Sequence, residues 1–275
     1  MQKTSEGEAG PAGEKAMVDI VIPVLDQLHY TERCLEALKK ADRSKVRVFV
    51  INNGSKDGTA DFLAACDWLT VISNETNRGC AAAWNQGVKA GSAQWVVVLN
   101  NDVILPDGWL EGLLSYAEEE GADIVSPGMR EGKDDYDVPA YAARFMRVMR
   151  SAVRRGEAHG VCFAVRRRVF ETIGYFDENF KIGGSEDTDF FWRASNAGMQ
   201  LATTGRSYLH HFGSITQDYV KATITKRCYG PEHRAYFRAK WKMTWWRRRV
   251  LRFRGKSLKA WYDISEKLRY GHKLR

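Results

Sequence analysis

A chain of 275 residues can bury a sizeable core, enough for one α/β domain of ordinary size plus appendages. With 44% hydrophobic and 28% charged residues it is not a disordered chain. No run of about 18 apolar residues offers a membrane-spanning helix.

Five scattered cysteines (Cys34, Cys66, Cys80, Cys162, Cys228) include no CxxC pair, which favours reduced thiols in a cytoplasmic setting over a disulfide framework or a zinc site. The charge is split. Residues 221–275 carry 18 Lys plus Arg against 3 Asp plus Glu, a local net of +15, which leaves −7 on the first 220 residues of a chain of net charge +8. The basic character therefore belongs to the tail, as in a surface-seeking appendage. The start, MQKTSEGEAGPAGEKA, has no apolar stretch to serve as a secretory signal; residues 1–16 are expected to be a disordered extension, with structure from Met17.

In chain order, Val18–Val24 is a β-branched run broken by Pro23 and predicts a buried strand. Thr31–Lys40 has helical spacing, with Cys34, Leu35 and Leu38 on one face and Thr31 as a candidate N-cap. Val46–Ile51 predicts a second strand, followed by the polar, glycine-rich loop Asn52–Thr59 and a helix over about 60–66. A short strand over 69–73, an alanine-rich helix over 79–91 and an apolar strand over 95–99 complete an alternating pattern. It predicts a mainly parallel sheet with helices on both faces over residues 17–220. Beyond Asp123 the alternation weakens: a strand over 160–165, a short helix over 166–173, a helix over 187–197 closed by Gly198, and an edge strand over 200–211 are expected.

Ligands of such sheets gather at the carboxyl ends of the strands. Three polar clusters fall there: Asp26, Asn52 to Asp57, and Asn100 to Asp102. A carboxylate at Asp102, just beyond a buried strand, suits a hard cation such as Mg²⁺ or Mn²⁺; a turn in which Asn and Asp satisfy the backbone fits the same residues. Glu186, Asp187 and Asp189 follow the Gly183–Gly184 pair at a helix start. One of them can act as a general base, and favourable interaction with the helix dipole is the competing explanation. His210 and His211 are candidate metal ligands or structural residues of a strand.

Taken in order, these segments resemble the family 2 glycosyltransferases, which have the GT-A fold. The resemblance spans about residues 18–216. It rests on Ile22–Asp26, Asn53–Thr59, Asn77–Arg78–Gly79 with Ala82–Gly87, Leu99–Asp102, Gly174–Glu178, Glu186–Asp189 with Arg193 and Gly198, and His211–Ser214. It implies an inverting transferase moving a hexosyl or deoxyhexosyl group from a UDP-, GDP- or dTDP-linked donor to a hydroxyl of a glycan or lipid-linked glycan, in cell-surface polysaccharide or glycolipid synthesis. By the same resemblance Pro23, Val24, Asp26, Asn52, Asn53 and Asp57 line the base and ribose pocket. Asn77, Gly79 and Asn85 support the nucleotide, with Asn100 and Asn101 beside the diphosphate. Asp102 holds the Mn²⁺ or Mg²⁺, with His211 (or His210) as second ligand. Asp187 is the base and Glu186 orients the acceptor. Asn52 and Asn100 stand where the family often has Asp, which leaves a catalytically weak nucleotide-sugar-binding module as the alternative. A nucleotidyltransferase would need a glycine-rich, lysine-bearing loop after the first strand, and residues 23–28 contain none.

The tail, residues 221–275, is expected to be helical. Its Trp- and Arg-rich stretch from Lys240 suits the inner face of a membrane, or helices packing Trp241, Trp245, Leu258 and Trp261 on the domain. No nucleic-acid-binding module is recognisable in it, so nucleic acid is not expected as a partner.

Overall fold

The computed structural model describes residues 17–181, 184–213, 215–220, 222 and 230–275. The expected extension at 1–16, together with Gly183, Ser214 and Cys228, lies outside the described residues.

The first half alternates as its sequence pattern predicts: β1 (Val18–Val24), α1 (Leu28–Lys39), β2 (Val46–Asn52), α2 (Thr59–Ala64), β3 (Thr70–Ser73), α3 (Cys80–Ala90) and β4 (Trp95–Leu99). β1 pairs in parallel with β2 and with β4, and β2 with β3. These strands read as continuous apolar runs because both of their faces are covered. Ile20, Ile22 and Val24 join the cluster that holds Cys34, Leu35 and Leu38 of α1. Val21 joins the opposite cluster with Ala83, Trp84 and Val88 of α3.

The second half comprises β5 (Val103–Ile104), α4 (Trp109–Glu119), β6 (Ile124–Glu131), α5 (Val138–Val148), β7 (Val153–Arg155), β8 (Cys162–Arg166), α6 (Arg167–Ile173), α7 (Glu186–Asn196), β9 (Leu201–His211), α8 (Ile215–Tyr219), α9 (Gly230–Lys240) and α10 (Trp245–Tyr270). The sheet order is β3-β2-β1-β4-β8-β6-β9-β5, with β7 also on β9. The parallel expectation describes the β3 to β4 side. Beyond β4 the sheet is mixed: β8 runs antiparallel to β4 and β6, β6 parallel to β9, and β9 antiparallel to β5 and β7.

Two local expectations are corrected, and one strand is added. The last strand is interior, since β9 lies between β6 and both β5 and β7. Its Thr and Ser residues are buried and bonded: Ser207 Oγ donates to Trp109 O at 2.6 Å and Thr203 Oγ1 to Glu157 O at 3.1 Å. Thr31 is not an N-cap. Asp26 and Gln27 turn through left-handed conformations (φ 50° and 60°), and the helix starts at Leu28, whose N–H donates to Asp57 of the next loop at 3.1 Å. The sequence did not mark β6, because Pro127 and Gly128 interrupt it; the register shifts between those two residues.

Two anchors hold the tail on the domain. Lys240 Nζ sits between Asp177 (2.6 Å) and Asp189 (2.9 Å), and the Trp241 indole donates to Asp189 at 2.9 Å while packing on Trp192. Arg154 of β7, 2% exposed, makes two hydrogen bonds to Glu266 of α10 (2.7 and 2.8 Å) and one to Asp263 (2.8 Å). Removing one partner from a buried pair of this kind typically costs about 3–5 kcal/mol. After α10, Leu274 is buried against the cluster of Phe145 and Tyr208, and its carbonyl accepts from Met129 N at 2.8 Å. Of the four apolar residues expected to pack, only Trp241 does so. Trp245, Leu258 and Trp261 are exposed, because α10 meets the domain through Tyr262, Asp263 and Glu266 instead.

Candidate active site

The loops after β1, β2 and β3 are tied into one rim by side chains. Asp26, 5% exposed, accepts from the backbone N–H of Lys56 (2.6 Å) and Asp57 (3.2 Å), and its own N–H donates to Ser55 Oγ (2.9 Å). Asn52 Oδ1 accepts from Ser55 N, and Asp57 caps Thr59 and Leu28. Asn53 donates to Asn77 Oδ1 (2.8 Å) and accepts from Arg78 N and Asn74, while Asn77 accepts from Gly79 N. Gly54 (φ +87°) lies against the Thr76 backbone, so closely that a Cβ would overlap it. Asn85, 2% exposed, clamps Phe176 and Glu178 to α3. Val24 turns its side chain into the core and offers the rim its carbonyl, which accepts from Asn53 N. Pro23 stands half-buried beside Ile51.

The segment after β4 divides its roles. Asn101 turns inward and donates to Thr31 Oγ1 at 2.9 Å. The Asn100 amide makes no hydrogen bond among the described residues; its backbone N–H donates to Val161 O at 2.9 Å. Asp102, 4% exposed, faces His211: the carboxylate oxygen and the imidazole Nε2 are 3.4 Å apart, without hydrogen-bond alignment, and Nε2 is buried with no hydrogen-bond partner. Glu131, 3.3 Å from Nδ1, orients the ring. β5–β9 pairing and a bond from Phe212 N to Asp102 O (3.0 Å) hold the two side chains together. His210, one residue back on the strand, points the other way, to Tyr136 at 2.9 Å. His210 is therefore not the partner of Asp102. A buried carboxylate oxygen facing an unpartnered imidazole nitrogen is a donor pair that fits a divalent cation whose other positions are filled by diphosphate and water. Among the described residues no group of three such side chains forms a complete cage.

The acids of α7 also divide their roles. Asp189 is fully buried and consumed by Arg193, Lys240 and Trp241. Glu186 is 4% exposed with Oε2 unpartnered; burial, followed by the adjacent charge of Asp187, pushes its pKa up to about 8. Asp187 is half-buried, and its pKa is likewise raised by burial against hydrogen bonds from Thr188 that favour the charged form. Its other oxygen lies over Gly160, where a Cβ would overlap the carboxylate. Ser185, just before, is held at φ 85°, a strained conformation for a residue with a side chain.

These groups converge. Gly160 leads into β8, whose Cys162 pairs with Leu99 at the end of β4, so Asp187 stands over the loop that carries Asp102. The Cys80 thiol at the start of α3 registers all three acids: its pKa is raised by burial and then by the fields of Glu186, Asp187 and Asp102. Gly160, Thr188 and Glu131 carry no sequence signal of their own, since each matters only through a neighbour distant in the chain.

The family described as Glycosyl transferase family 2 matches residues 19–174. Glycosyltransferase AglE of Haloferax volcanii is 30% identical over 198 residues, 67% of this chain and 63% of that protein. The pre-mycofactocin glycosyltransferase of Mycobacterium tuberculosis is 29% identical over 203 residues, 67% of this chain and 40% of that protein. The chain thus spans less than two thirds of the length of either relative. A mannosyltransferase from Pyrobaculum calidifontis, solved in complex with GDP-Man and Mn²⁺, superposes with a TM-score of 0.57 at 20% identity, covering 72% of this chain and 57% of that one; this likeness shows the shared GT-A fold.

The coupled acids give a pH test. Folding holds the Glu186 proton more tightly than the unfolded chain does, so stability falls as pH rises from the ordinary 4.5 toward about 8. Unfolding curves taken across that window should show the wild type losing stability more steeply than Glu186→Gln; parallel declines would contradict the assignment.

Proposed function

This chain belongs to glycosyl transferase family 2, and on that premise we propose that it moves a sugar from a nucleoside diphosphate to an acceptor hydroxyl by direct displacement, inverting the anomeric carbon. The observation that supports this most is the convergence of the Asp102–His211 pair and the Glu186–Asp187 pair at one edge of the sheet.

A divalent cation, Mn²⁺ or Mg²⁺, held by Asp102 and His211 would supply Lewis-acid neutralisation of the departing diphosphate. The rim built by Asp26, Asn52 and Asp57, braced by Asn53 and Asn77, receives base and ribose, and the free Asn100 amide is available to the diphosphate. Asp187 takes the proton of the acceptor hydroxyl as it attacks. Burial, then the neighbouring Asp187, raises the Glu186 pKa to about 8, which favours its protonated form at neutral pH. As a protonated acid it can donate a hydrogen bond that orients the acceptor. A single base suffices for displacement with inversion, since the diphosphate leaves without a proton. The Pyrobaculum complex with GDP-Man and Mn²⁺ favours a nucleotide sugar and a cation in this fold without selecting among UDP, GDP and dTDP.

A cell-surface glycan or lipid-linked acceptor is favoured by the outer face of α10. Trp246, Val250, Phe253, Trp261, Ile264 and Leu268 are all exposed, up to 84% at Leu268, and recur at helical spacing along one side. Arg249, Arg254, Lys256 and Lys267 flank that stripe, while the helix's two carboxylates, Asp263 and Glu266, turn inward onto Arg154. An apolar stripe with cationic flanks suits the headgroup layer of an anionic membrane. No helix among the described residues is long and apolar enough to cross a membrane.

In Asp187→Asn, transfer should fall by about 10²–10⁴-fold, while thermal stabilisation by nucleoside diphosphate with Mn²⁺ persists. Turnover within a few-fold of wild type would remove Asp187 from the role of base. For the tail, Trp246→Glu with Phe253→Glu should abolish co-sedimentation with phosphatidylserine vesicles; unchanged sedimentation would rule out the membrane contact.

A further inference from the structure

The start of α7 forms one wall of a cleft whose other walls are α9 and the first turns of α10. Ser185 and Thr188, which bracket Glu186 and Asp187, line one side. Arg234 and Arg238 of α9 and Arg248 and Arg252 of α10 line the other. Each arginine pair is spaced i, i+4, so both guanidinium groups of a helix stand on one face.

Protein carboxylates do not balance this charge. Among the described residues none of the four arginines makes an ion pair; Glu186 and Asp187 of α7 and Glu232 of α9 lie on the neighbouring elements and form no ion pair with these arginines, and four further acids are engaged elsewhere. Asp177 and Asp189 are held by Lys240, and Asp263 and Glu266 by Arg154. The first turn of α10 carries no acid to offset Arg247, Arg248 and Arg249, so the helix dipole adds to the repulsion. Four like charges drawn together between α9 and the first turns of α10 are stabilised by an anion placed among them. The guanidinium fork matches the oxygens of a phosphate group, and the Ser185 hydroxyl adds a further donor. The cleft shares no lining residue with the Asp102–His211 pair, and it touches α7 at Ser185 and Thr188, which bracket Glu186 and Asp187.

We propose that this cleft holds a phosphate group carried by the acceptor, and thereby presents a hydroxyl of a phosphorylated glycan or lipid phosphate to Asp187. The assignment rests on the transferase reading above. It places the cationic lining of the tail in substrate selection and leaves the opposite, apolar face of α10 to the membrane.

The test uses the full chain, with inorganic pyrophosphate titrated by calorimetry. Arg248→Gln with Arg252→Gln is compared with a charge-matched control on the outer face, Arg254→Gln with Lys256→Gln. Loss of two charge-assisted contacts should weaken pyrophosphate binding at least about tenfold in the cleft variant and leave the control like wild type. Equal weakening in both variants, or no binding by the wild type, would overturn the proposal. Stabilisation by nucleoside diphosphate with Mn²⁺ is read in parallel. It should be unchanged in the cleft variant; its absence in the wild type would count against the transferase reading and not against the cleft. Dihexanoyl phosphatidic acid, a soluble lipid phosphate, distinguishes the source: binding tighter than that of inorganic phosphate assigns a lipid phosphate, and equal binding assigns a soluble phosphorylated glycan.

Discussion

The candidate site depends on one antiparallel pairing. β4 runs toward the ligand edge and β8 runs away from it, with Leu99 opposite Cys162 and the Asn100 N–H bonded to Val161 O. The chain leaving β4 and the chain entering β8 therefore lie side by side. One carries Asp102; the other offers Gly160, against which Asp187 rests. Had β8 been parallel, as the first half of the sheet is, Gly160 would sit at the opposite edge and Asp187 would stand far from Asp102. The return of β9 then brings His211 to Asp102 by a short pairing with β5.

Around this pairing, polar side chains are either spent on the scaffold or left with spare capacity. Asn53, Asn77, Asn85, Asn101 and Asp189 have their hydrogen bonds satisfied inside the protein and hold loops and helices in place. Glu186 Oε2 and His211 Nε2 are buried without a hydrogen-bond partner, and Asp102 lies 3.4 Å from that imidazole nitrogen. Buried polar atoms without partners cost free energy, so the unmet Glu186 Oε2 and His211 Nε2 are places where a ligand would recover it. The tail follows the same logic. Asp263 and Glu266 are satisfied by Arg154, while Arg234, Arg238, Arg248 and Arg252 form no ion pair among the described residues.

Much of this was legible in the sequence. Apolar runs gave β1 and β4 to the residue because both faces of each strand are covered, and the polar clusters do fall at the ends of the strands. Local pattern failed where the cause was distant. The N-terminal cap of α1 comes from Asp57, so Thr31 misled. β9, expected at an edge, is interior and buries its Thr and Ser residues in long-range bonds. Which histidine faces Asp102 depends on strand register, which the sequence leaves open; Asp189 looked like a site acid until Trp241 and Lys240, some fifty residues later, were found to hold it.

The central claim is that Asp102 and His211 grip a cation on one side of a sugar and Asp187 stands on the other. Anomalous diffraction from crystals grown with Mn²⁺ and a nucleoside diphosphate tests it most directly. The metal peak should lie within coordination distance of Asp102 and His211, with the diphosphate between it and Asp187. A peak elsewhere, with those two side chains unliganded, would contradict the account.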